Sequence, residues 1–546
     1  MSAGAPARTV PEERALSRAT GAMAVVTAVS RGTGFLRTVV VTNVLGVTFI
    51  ANTYQTANTV PNVVFELLAA GALQAVLVPA LVSTVDRGDD RDTGHVAGAV
   101  IGLTGLVLGV LAVIGMVLAR PIMGVFLSDL NDTAVRAKAI DLGAVMLWFF
   151  LPQMVLYAAN VVATALLNST DRFVIPAVAP VLNNVVVIGA YLWFGALLSG
   201  ATPSLDLTTL ELWVLAGGTT AGVVAFCALP VAAAARRYPL RPNLDWRHPV
   251  VRRLAGDGMW AALFLSATQI LLVVMLQAAN RREGAVAVYQ LAWTLFLLPH
   301  SVGSVPVMTT RFPSMSRDAA AGAWERFSET LSGGVRSIAA LTIPVTGLLI
   351  ALAEPVVRLV VHGAPARRAP EIALAVVGFA PGIIGFGLLL LFTRACYAMG
   401  DMRTPTYVNA SAVALGCALI LGVAPHVGGR WLVAVIGLAH SFVMLLGALV
   451  LGVIVDRRLR SHGVHGPLGP WAPVGVTVLA ALVTAAGARL VWLAVSPSTF
   501  ATRAAVAVIG AAIAAGALAG AHRVLSGVRP KALVRSYGSD PGRFSR

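Results

Sequence analysis

SRGTGFLR at residues 30–37 and ANTYQTANTVPNVVFELLAAGALQAVLVP at residues 51–79 are the two stretches that decide the fold. Each belongs to an apolar segment of at least about 20 residues, the length that a helix needs to cross a bilayer. Arg31 and Arg37 lie well inside the first segment. Because an arginine near the bilayer centre costs at least about 2.5–3.5 kcal/mol, both must face a wet cavity or a partner. The chain is therefore predicted to cross a membrane and to enclose a polar space.

The composition extends this interpretation to the whole chain. Of 546 residues, 57% are hydrophobic and 12% are charged, and the mean hydropathy is +0.82. Soluble domains carry about 25% charged residues, so the bilayer core is the main solvent here. The net charge of +16 would suggest nucleic acid in a soluble protein. Because the arginines cluster between apolar segments, we expect membrane topology to explain them, with no nucleic-acid partner.

The apolar segments predict an all-α polytopic membrane protein with about fourteen transmembrane helices. We expect two six-helix lobes followed by two C-terminal helices. The predicted spans lie near residues 21–46, 55–84, 96–119, 141–167, 175–198, 211–234, 258–279, 285–308, 335–353, 372–398, 405–424, 431–455, 472–495 and 502–522.

Two similar turns indicate that the lobes are repeats. NSTDRFVIP and AMGDMRTP both contain Asp, Arg and Pro at a tight turn, and Pro176 and Pro405 are 229 positions apart. Parallel repeats are typical of transporters, in which the substrate path lies between the halves. The predicted organisation is a cytosolic tail at 1–20, a first lobe at 21–234, a basic linker at 235–257, a second lobe at 258–455, a basic loop at 456–471, two further helices at 472–522 and a basic tail at 523–546.

The loop charges predict the orientation. An even number of spans puts both termini on one side, and the positive-inside rule makes that side the cytosol. Two segments on the opposite side disagree with the rule, namely Arg281 with Arg282, and residues 354–371 with their three arginines. The arginines on the predicted cytosolic side include Arg236, Arg237, Arg241, Arg247, Arg252, Arg253, Arg311, Arg317, Arg326, Arg457, Arg458 and Arg460.

The first two spans carry the candidate binding residues. Ser30, Gly34 and Arg37 fall on one helical face, with Arg31 on an adjacent flank. On the second span, a polar stripe recurs at helical spacing and includes an intramembrane carboxylate. Its members are Gln55, Asn58, Asn62 and Glu66.

Two interpretations of these residues remain open. Two cations opposite a polar stripe suit an anionic ligand, since guanidinium pairs bidentately with phosphate oxygens. Alternatively, Arg31 or Arg37 pairs with Glu66 and only holds the lobe together. The two are compatible, because one arginine can pair while the other binds.

Sequence motifs for catalysis are absent. The chain has no Walker A sequence, no HExxH and no GxSxG. Its three cysteines, Cys227, Cys396 and Cys417, form no CxxC pair and lie within apolar spans, so neither a disulfide framework nor a metal site is expected. We predict a transporter that uses no cofactor and performs no covalent chemistry.

SRGTGFLR and PNVVFELLAAGALQAVLVP resemble the MurJ (MviN) family of lipid II flippases. The resemblance continues through LNSTDRFVIPAVAPVLNN, YQLAWTLFLLPHSVGSVPVMTTRFPSMSR and TRACYAMGDMRTP, and TANTVPNVVFELLAAG is most similar to the branch of high-GC Gram-positive bacteria. It implies the fold of the MOP exporter superfamily, with a V-shaped cavity between two lobes. It also implies a plasma-membrane flippase that carries an undecaprenyl-diphosphate-linked peptidoglycan precursor outward in cell-wall synthesis, with a groove for the lipid tail formed by the last two helices.

The resemblance assigns Ser30, Arg31, Gly34 and Arg37 to the family motif whose arginines face the diphosphate-sugar, and Asn62 to a Pro-Asn element. Four positions depart from the family pattern. Thr38 and Asn52 replace acids, while Phe65 and Ala292 stand where cavity arginines are expected. The gating pairs assumed for the family are therefore in doubt here.

Other functions remain possible from the residues alone. A related exporter of a polysaccharide-lipid or a small cation would share the fold, although a cation exporter needs a cavity rich in carboxylates. A membrane glycosyltransferase or polymerase would need an acid or His cluster on an external loop. A division scaffold would not need buried arginines. Cell-wall synthesis and division proteins are candidate partners, and the sequence does not identify a coupling ion.

Overall fold

The structure is a computed structural model that describes residues 10–67, 90–170, 172–247 and 259–464. All regular secondary structure in these ranges is helical. The predicted spans at 472–495 and 502–522, the basic tail and the end of the second span lie outside the described residues. The all-α polytopic fold class predicted from the sequence is confirmed.

The first lobe begins with a long helix that contains both candidate arginines. Asp132 caps α5, since its carboxylate accepts hydrogen bonds from the amides of Ala134 and Val135. A capping box of Thr208 and Glu211 begins α8. The helices are α1 (Val10–Leu45), α2 (Phe49–Phe65), α3 (Asp90–Val117), α4 (Ala119–Phe126), α5 (Thr133–Phe150), α6 (Gln153–Ser169), α7 (Val174–Leu197) and α8 (Thr209–Ala235).

The second lobe contains longer helices than the sequence predicted. Residues 309–334 were expected to form mainly a loop, but α10 and α11 fill this range except for a short turn at 321–323. The helices are α9 (Met259–Ala279), α10 (Ala285–Ala320), α11 (Trp324–Val360), α12 (Ala369–Phe379), α13 (Gly382–Ala398), α14 (Arg403–Val423) and α15 (Leu432–Ser461).

The two lobes pack in the same pattern. In the first, α1 packs on α7, α7 on α8, and the broken span α5–α6 contacts α2, α3 and α8. In the second, α9 packs on α14, α14 on α15, and the broken span α12–α13 contacts α10, α11 and α15. The breaks fall at Pro152 and Pro381, which are 229 positions apart, the offset that also relates Pro176 and Pro405. A proline removes a backbone donor and interrupts a helix, so the same break recurs in each lobe.

Length and hydropathy are consistent with the predicted spans. In the described residues, nine helical segments are apolar and long enough to cross a membrane, and a tenth is α10, which bends by 42° between Ser301 and Gly303. The more polar α1 and α2 do not meet this criterion; with them, the described residues would hold the first twelve predicted spans. Because the helices alternate in direction, their turns collect at two ends. We call the end with turns 46–48, 127–132, 198–208, 280–284, 361–368 and 424–431 the closed end, and the end with turns 170–173, 236–247, 321–323, 399–402 and 462–464 the basic end.

Candidate functional site

The two lobes meet at the closed end through Asn52. Its side-chain amide nitrogen donates to the carbonyl of Arg282 at 2.8 Å, and its side-chain oxygen accepts from the amide of Val286 at 3.0 Å. Gly284 has a φ of +70°, and a Cβ there would overlap the backbone of Val47. Only glycine allows both this left-handed conformation and this close approach. The neutral amide of Asn52 thus joins the lobes at a position where the resemblance led us to expect an acid.

Ion pairs reinforce the closed end. Arg281 of the second lobe lies 2.8 Å from Asp129 of the first. Glu371, which is 4% exposed, accepts from Arg282 at 3.0 Å and from Arg368 at 2.6 Å. The charges of Arg281, Arg282 and Arg368, which disagreed with the predicted topology, are thus offset by carboxylates.

Neutral hydrogen bonds complete the contact between the lobes. Asn43 donates to the carbonyl of Val360 at 3.0 Å, and Asn280 donates to Thr56 at 3.0 Å. The contact nearest the basic end is a 3.4 Å hydrogen bond between the hydroxyls of Thr38 and Thr294. Within the described ranges, no hydrogen bond or ion pair joins the lobes between this pair and the basic end. Residues 30–37 lie on the side of Thr38 that faces the basic end, where no polar contact between described residues joins the lobes.

Arg31 lies on α1 seven residues before Thr38, toward the basic end. Its side chain is exposed, and no carboxylate among the described residues lies within ion-pair distance of it. Its charge acts on His300 of α10, so the guanidinium lies within electrostatic range of the opposite lobe. Arg31 is thus an uncompensated cation between the two lobes.

Arg37 lies beside a tyrosine cluster of the first lobe. It is half-buried, and its charge acts on Tyr54, Tyr157 and Tyr191. The Tyr54 hydroxyl is 2.7 Å from that of Tyr191 and 2.8 Å from that of Thr219, so these hydroxyls satisfy one another. These hydrogen bonds fix the tyrosine side chains beside Arg37 and do not neutralise its charge.

The predicted pairing with Glu66 is not formed. Glu66 is half-buried and lies within 4.0 Å of neither Arg31 nor Arg37, which rules out an ion pair in this conformation. The alternative in which these arginines only hold the first lobe together is therefore not supported.

The other predicted site residues divide into two groups. Ser30 and Gly34 lie where α1 packs on α7, since Asn184 donates to the Ser30 carbonyl at 3.5 Å and its side chain would lie 3.6 Å from a Cβ at Gly34. Asn58 is half-buried and Asn62 is exposed, with the Asn62 amide donating to the Asn58 carbonyl at 3.1 Å. The polar stripe thus becomes more exposed toward the basic end, while the Ser30–Gly34 face serves helix packing.

The positions that lack the expected cavity arginines are buried. Phe65 is 8% exposed and packs edge-on against Tyr157, with ring centroids 5.4 Å apart. Ala292 is fully buried in the core of the second lobe. A charged side chain at either position would need a different packing. Positions 65 and 292 therefore add no cation to Arg31 and Arg37.

Sequence reasoning missed the residues of the closed end. Asp129, Glu371 and Asn280 were not singled out, because nothing in their local sequence shows that they meet partners far along the chain. The one available signal was the pair Arg281 and Arg282, whose charges contradicted the predicted topology.

Other features of the molecule do not compete with this site. An apolar cavity of about 520 Å³ lies between α11, α13 and α15 and contains none of the predicted site residues. In the part of the chain that the structure describes, no group of three His, Cys, Asp or Glu side chains is placed to hold a metal ion. The space between the lobes is therefore the candidate site.

Two similarly packed lobes of membrane-spanning helices, joined at one end through Asn52 and Arg281, are the arrangement of a two-lobed membrane transporter. The known proteins that the chain resembles identify the family. A model described as lipid II flippase MurJ matches residues 41–509, and the chain belongs to this family. Similarity to the lipid II flippase MurJ of Burkholderia cenocepacia extends over 86% of this chain and 88% of that protein, at 25% identity.

Solved structures show the same fold. A lipid II flippase MurJ in an inward closed conformation superposes with a TM-score of 0.74 at 17% identity, covering 93% of this chain and 99% of that one. An inward-facing multidrug resistance MATE family transporter of the MOP superfamily superposes with a TM-score of 0.62 at 13% identity, covering 79% and 94%. The two-lobed exporter architecture is thus shared with proteins of different substrates, so the substrate has to be argued from the site.

Proposed function

We propose that this protein moves lipid II, an undecaprenyl-diphosphate-linked peptidoglycan precursor, from the inner to the outer leaflet of the bacterial plasma membrane. The observation that supports the proposal is that Arg31, within electrostatic range of the second lobe, and Arg37, beside the tyrosine cluster of the first, have no carboxylate partner among the described residues. A diphosphate would supply the missing negative charge. A small-cation exporter would need the opposite charge at this site.

The basic end faces the cytosol in this proposal, with both termini on that side, as the positive-inside rule requires. The headgroup enters between the lobes from the cytosolic leaflet, while its lipid tail stays in the bilayer. Arg31 and Arg37 each offer several N–H donors to the diphosphate. Asn58 and Asn62 offer amide groups to the sugar or peptide, and Glu66 sets the polarity of the same wall.

The Ser30 carbonyl contributes by accepting a hydrogen bond from Asn184, which fixes α1 against α7, and Gly34 lies on the same face. Outward release requires separation of the closed end, which means breaking the Asn52 bridge and the pair of Arg281 with Asp129. An inside-negative membrane potential contributes about 2.3 kcal/mol per charge per 100 mV, which favours return of the empty cationic site toward the cytosol.

Depletion of the protein in its source cell tests the substrate. We expect lipid II to accumulate in the inner leaflet, measured by its inaccessibility to an externally added enzyme or antibiotic that binds it. Re-expression of the wild-type chain should restore access. An unchanged lipid II distribution, with accumulation of a different polyprenyl-linked glycan, would reject lipid II as the substrate while leaving the fold assignment intact.

A further inference from the structure

Three arginines of the second lobe lie near the basic end, on three helices that pack together. They are Arg311 on α10, Arg336 on α11 and Arg394 on α13. Arg311 is half-buried within α10 rather than in a loop, and its guanidinium donates to the carbonyl of Thr330 at 2.9 Å. This bond uses one of its five N–H groups and leaves the others free for a ligand.

A pair of glycines gives Arg311 its place. A Cβ at Gly334 would lie 3.2 Å from the Cδ of Arg311, and a Cβ at Gly333 would crowd its guanidinium. Larger side chains at these positions would displace the arginine from the face of α11. The guanidinium is therefore held in a defined position, which lowers the entropy cost of binding a ligand.

Two of these arginines repel each other, and the third lies beside the residue that follows Arg311. The charge of Arg336 acts on Arg311, and the guanidinium of Arg394 lies 5.8 Å from the ring of Phe312. None of the three arginines has a carboxylate within ion-pair distance among the residues with described positions. By contrast, Arg458 and Arg460 at the same end lie 2.6 and 2.8 Å from their carboxylate partners. Arg311 and Arg394 are half-buried and Arg336 is exposed. A half-buried cation without a counter-charge is unfavourable, so an anion would stabilise this cluster.

The cluster lies farther toward the basic end than Arg31. Arg311 follows His300 on α10 by 11 residues, which is three helical turns and about 16 Å measured along the bent helix. His300 is the residue of the second lobe that lies within electrostatic range of Arg31. A headgroup approaching from the basic end would therefore reach the level of Arg311 before that of Arg31.

We propose that Arg311, Arg336 and Arg394 form a second anion-binding site, which holds a phosphate-bearing lipid headgroup at the basic end. Guanidinium groups match phosphate oxygens in both charge and geometry. A role of this site in substrate binding rests on the proposed function. In that role it would bind the diphosphate before Arg31 and Arg37 do. An anionic phospholipid of the same leaflet offers the same chemistry.

The double variant Arg336→Gln with Arg394→Gln tests the site, because neither side chain makes a polar contact within the described residues. Full-length protein in nanodiscs of zwitterionic lipid would be titrated with undecaprenyl diphosphate, with phosphatidylglycerol and with neutral undecaprenol. We expect affinity for undecaprenyl diphosphate to fall about tenfold, the change expected for one lost charge-assisted hydrogen bond, and affinity for undecaprenol to stay constant. Arg311→Lys, which keeps the charge but loses the fork geometry, should weaken binding less.

Arg317→Gln is the matched control, because this exposed arginine lies in the last turn of the same helix, α10. A selective loss of undecaprenyl diphosphate binding supports the substrate route, and an equal loss with phosphatidylglycerol supports a phospholipid headgroup. Wild-type affinity for both lipids in the double variant, or an equal loss in Arg317→Gln, would overturn the site. Arg31→Gln measured in parallel separates the two proposals. Loss of binding in that variant alone would reject the second site and leave the proposed function standing.

Discussion

At the closed end, Arg281, Arg282 and Arg368 each lie within 3.0 Å of a carboxylate oxygen. Toward the basic end, Arg31 lies within electrostatic range of the second lobe and Arg37 lies beside the tyrosine cluster of the first, and neither has a carboxylate within ion-pair distance among the described residues. The same residue type thus holds the lobes together at one end and leaves positive charge unneutralised at the other. The difference shows that the function of an arginine in this protein depends on whether a partner from a distant segment reaches it.

The largest effect is expected from removing the unpaired charges. Arg31→Gln with Arg37→Gln should reduce lipid II translocation in proteoliposomes by on the order of 100-fold or more, since each charge-assisted hydrogen bond contributes about 1.5–3 kcal/mol. Arg367→Gln, an exposed arginine at the closed end, is the control and should translocate normally. Normal translocation by the double variant would show that the unpaired cations do not bind the substrate.

A smaller effect is expected from crowding the closed end. Gly284→Ala forces a left-handed residue and a clash with the Val47 backbone, so the free energy of unfolding should fall by more than the roughly 1–2 kcal/mol of conformational strain. Gly322→Ala in a turn of the basic end is the matched control, because its φ of +66° is similar and nothing lies within 4 Å of the added Cβ. Thermal unfolding of both variants in detergent measures the difference. Equal losses would mean that the close approach of the lobes at Gly284 is unimportant.

The ion pair between the lobes should contribute about 1 kcal/mol, near the upper limit for exposed pairs, because both side chains are about a quarter exposed. Asp129→Asn and Arg281→Gln should each increase the labelling of a cysteine introduced at the closed end. In a charge-reversed pair, Asp129→Arg with Arg281→Asp, labelling should return toward the wild-type level. Failure of the reversed pair to do so, with both single variants labelled, would show that the two side chains act separately.

The smallest effect concerns a paired carboxylate of the basic end. Burial raises the pKa of Asp401, but hydrogen bonds from Thr404 and the Arg458 guanidinium outweigh it and lower the pKa to about 2. A carboxyl with a lowered pKa stabilises the fold above its unfolded pKa of about 3.9, and this contribution is lost as the pH falls toward 2. Unfolding measured from pH 7 to 2.5 should therefore show a steeper acid loss in the wild type than in Asp401→Asn. Parallel pH profiles would contradict the assignment.

Particular residues show how far sequence reasoning reached at the site. The cost of an arginine at membrane depth led us to predict Arg31 and Arg37 as site residues, and helical spacing led us to predict Asn58 and Asn62. The same spacing grouped Ser30 and Gly34 with the binding face, whereas the structure places them against α7. Helical periodicity shows which residues share a face, but it does not show whether that face meets another helix or an open space.

The sequence by itself determined the membrane class, the helical fold and the order of the spans, because each depends on the length and polarity of one continuous segment. Its family motifs also indicated the transporter family. Only the tertiary structure decided which charges are neutralised. Asp129 contacts Arg281, and Asn52 contacts Arg282, although the partners are separated in sequence by more than half the length of a lobe. Such pairings depend on how two lobes approach in space, and no local pattern of residues encodes that distance.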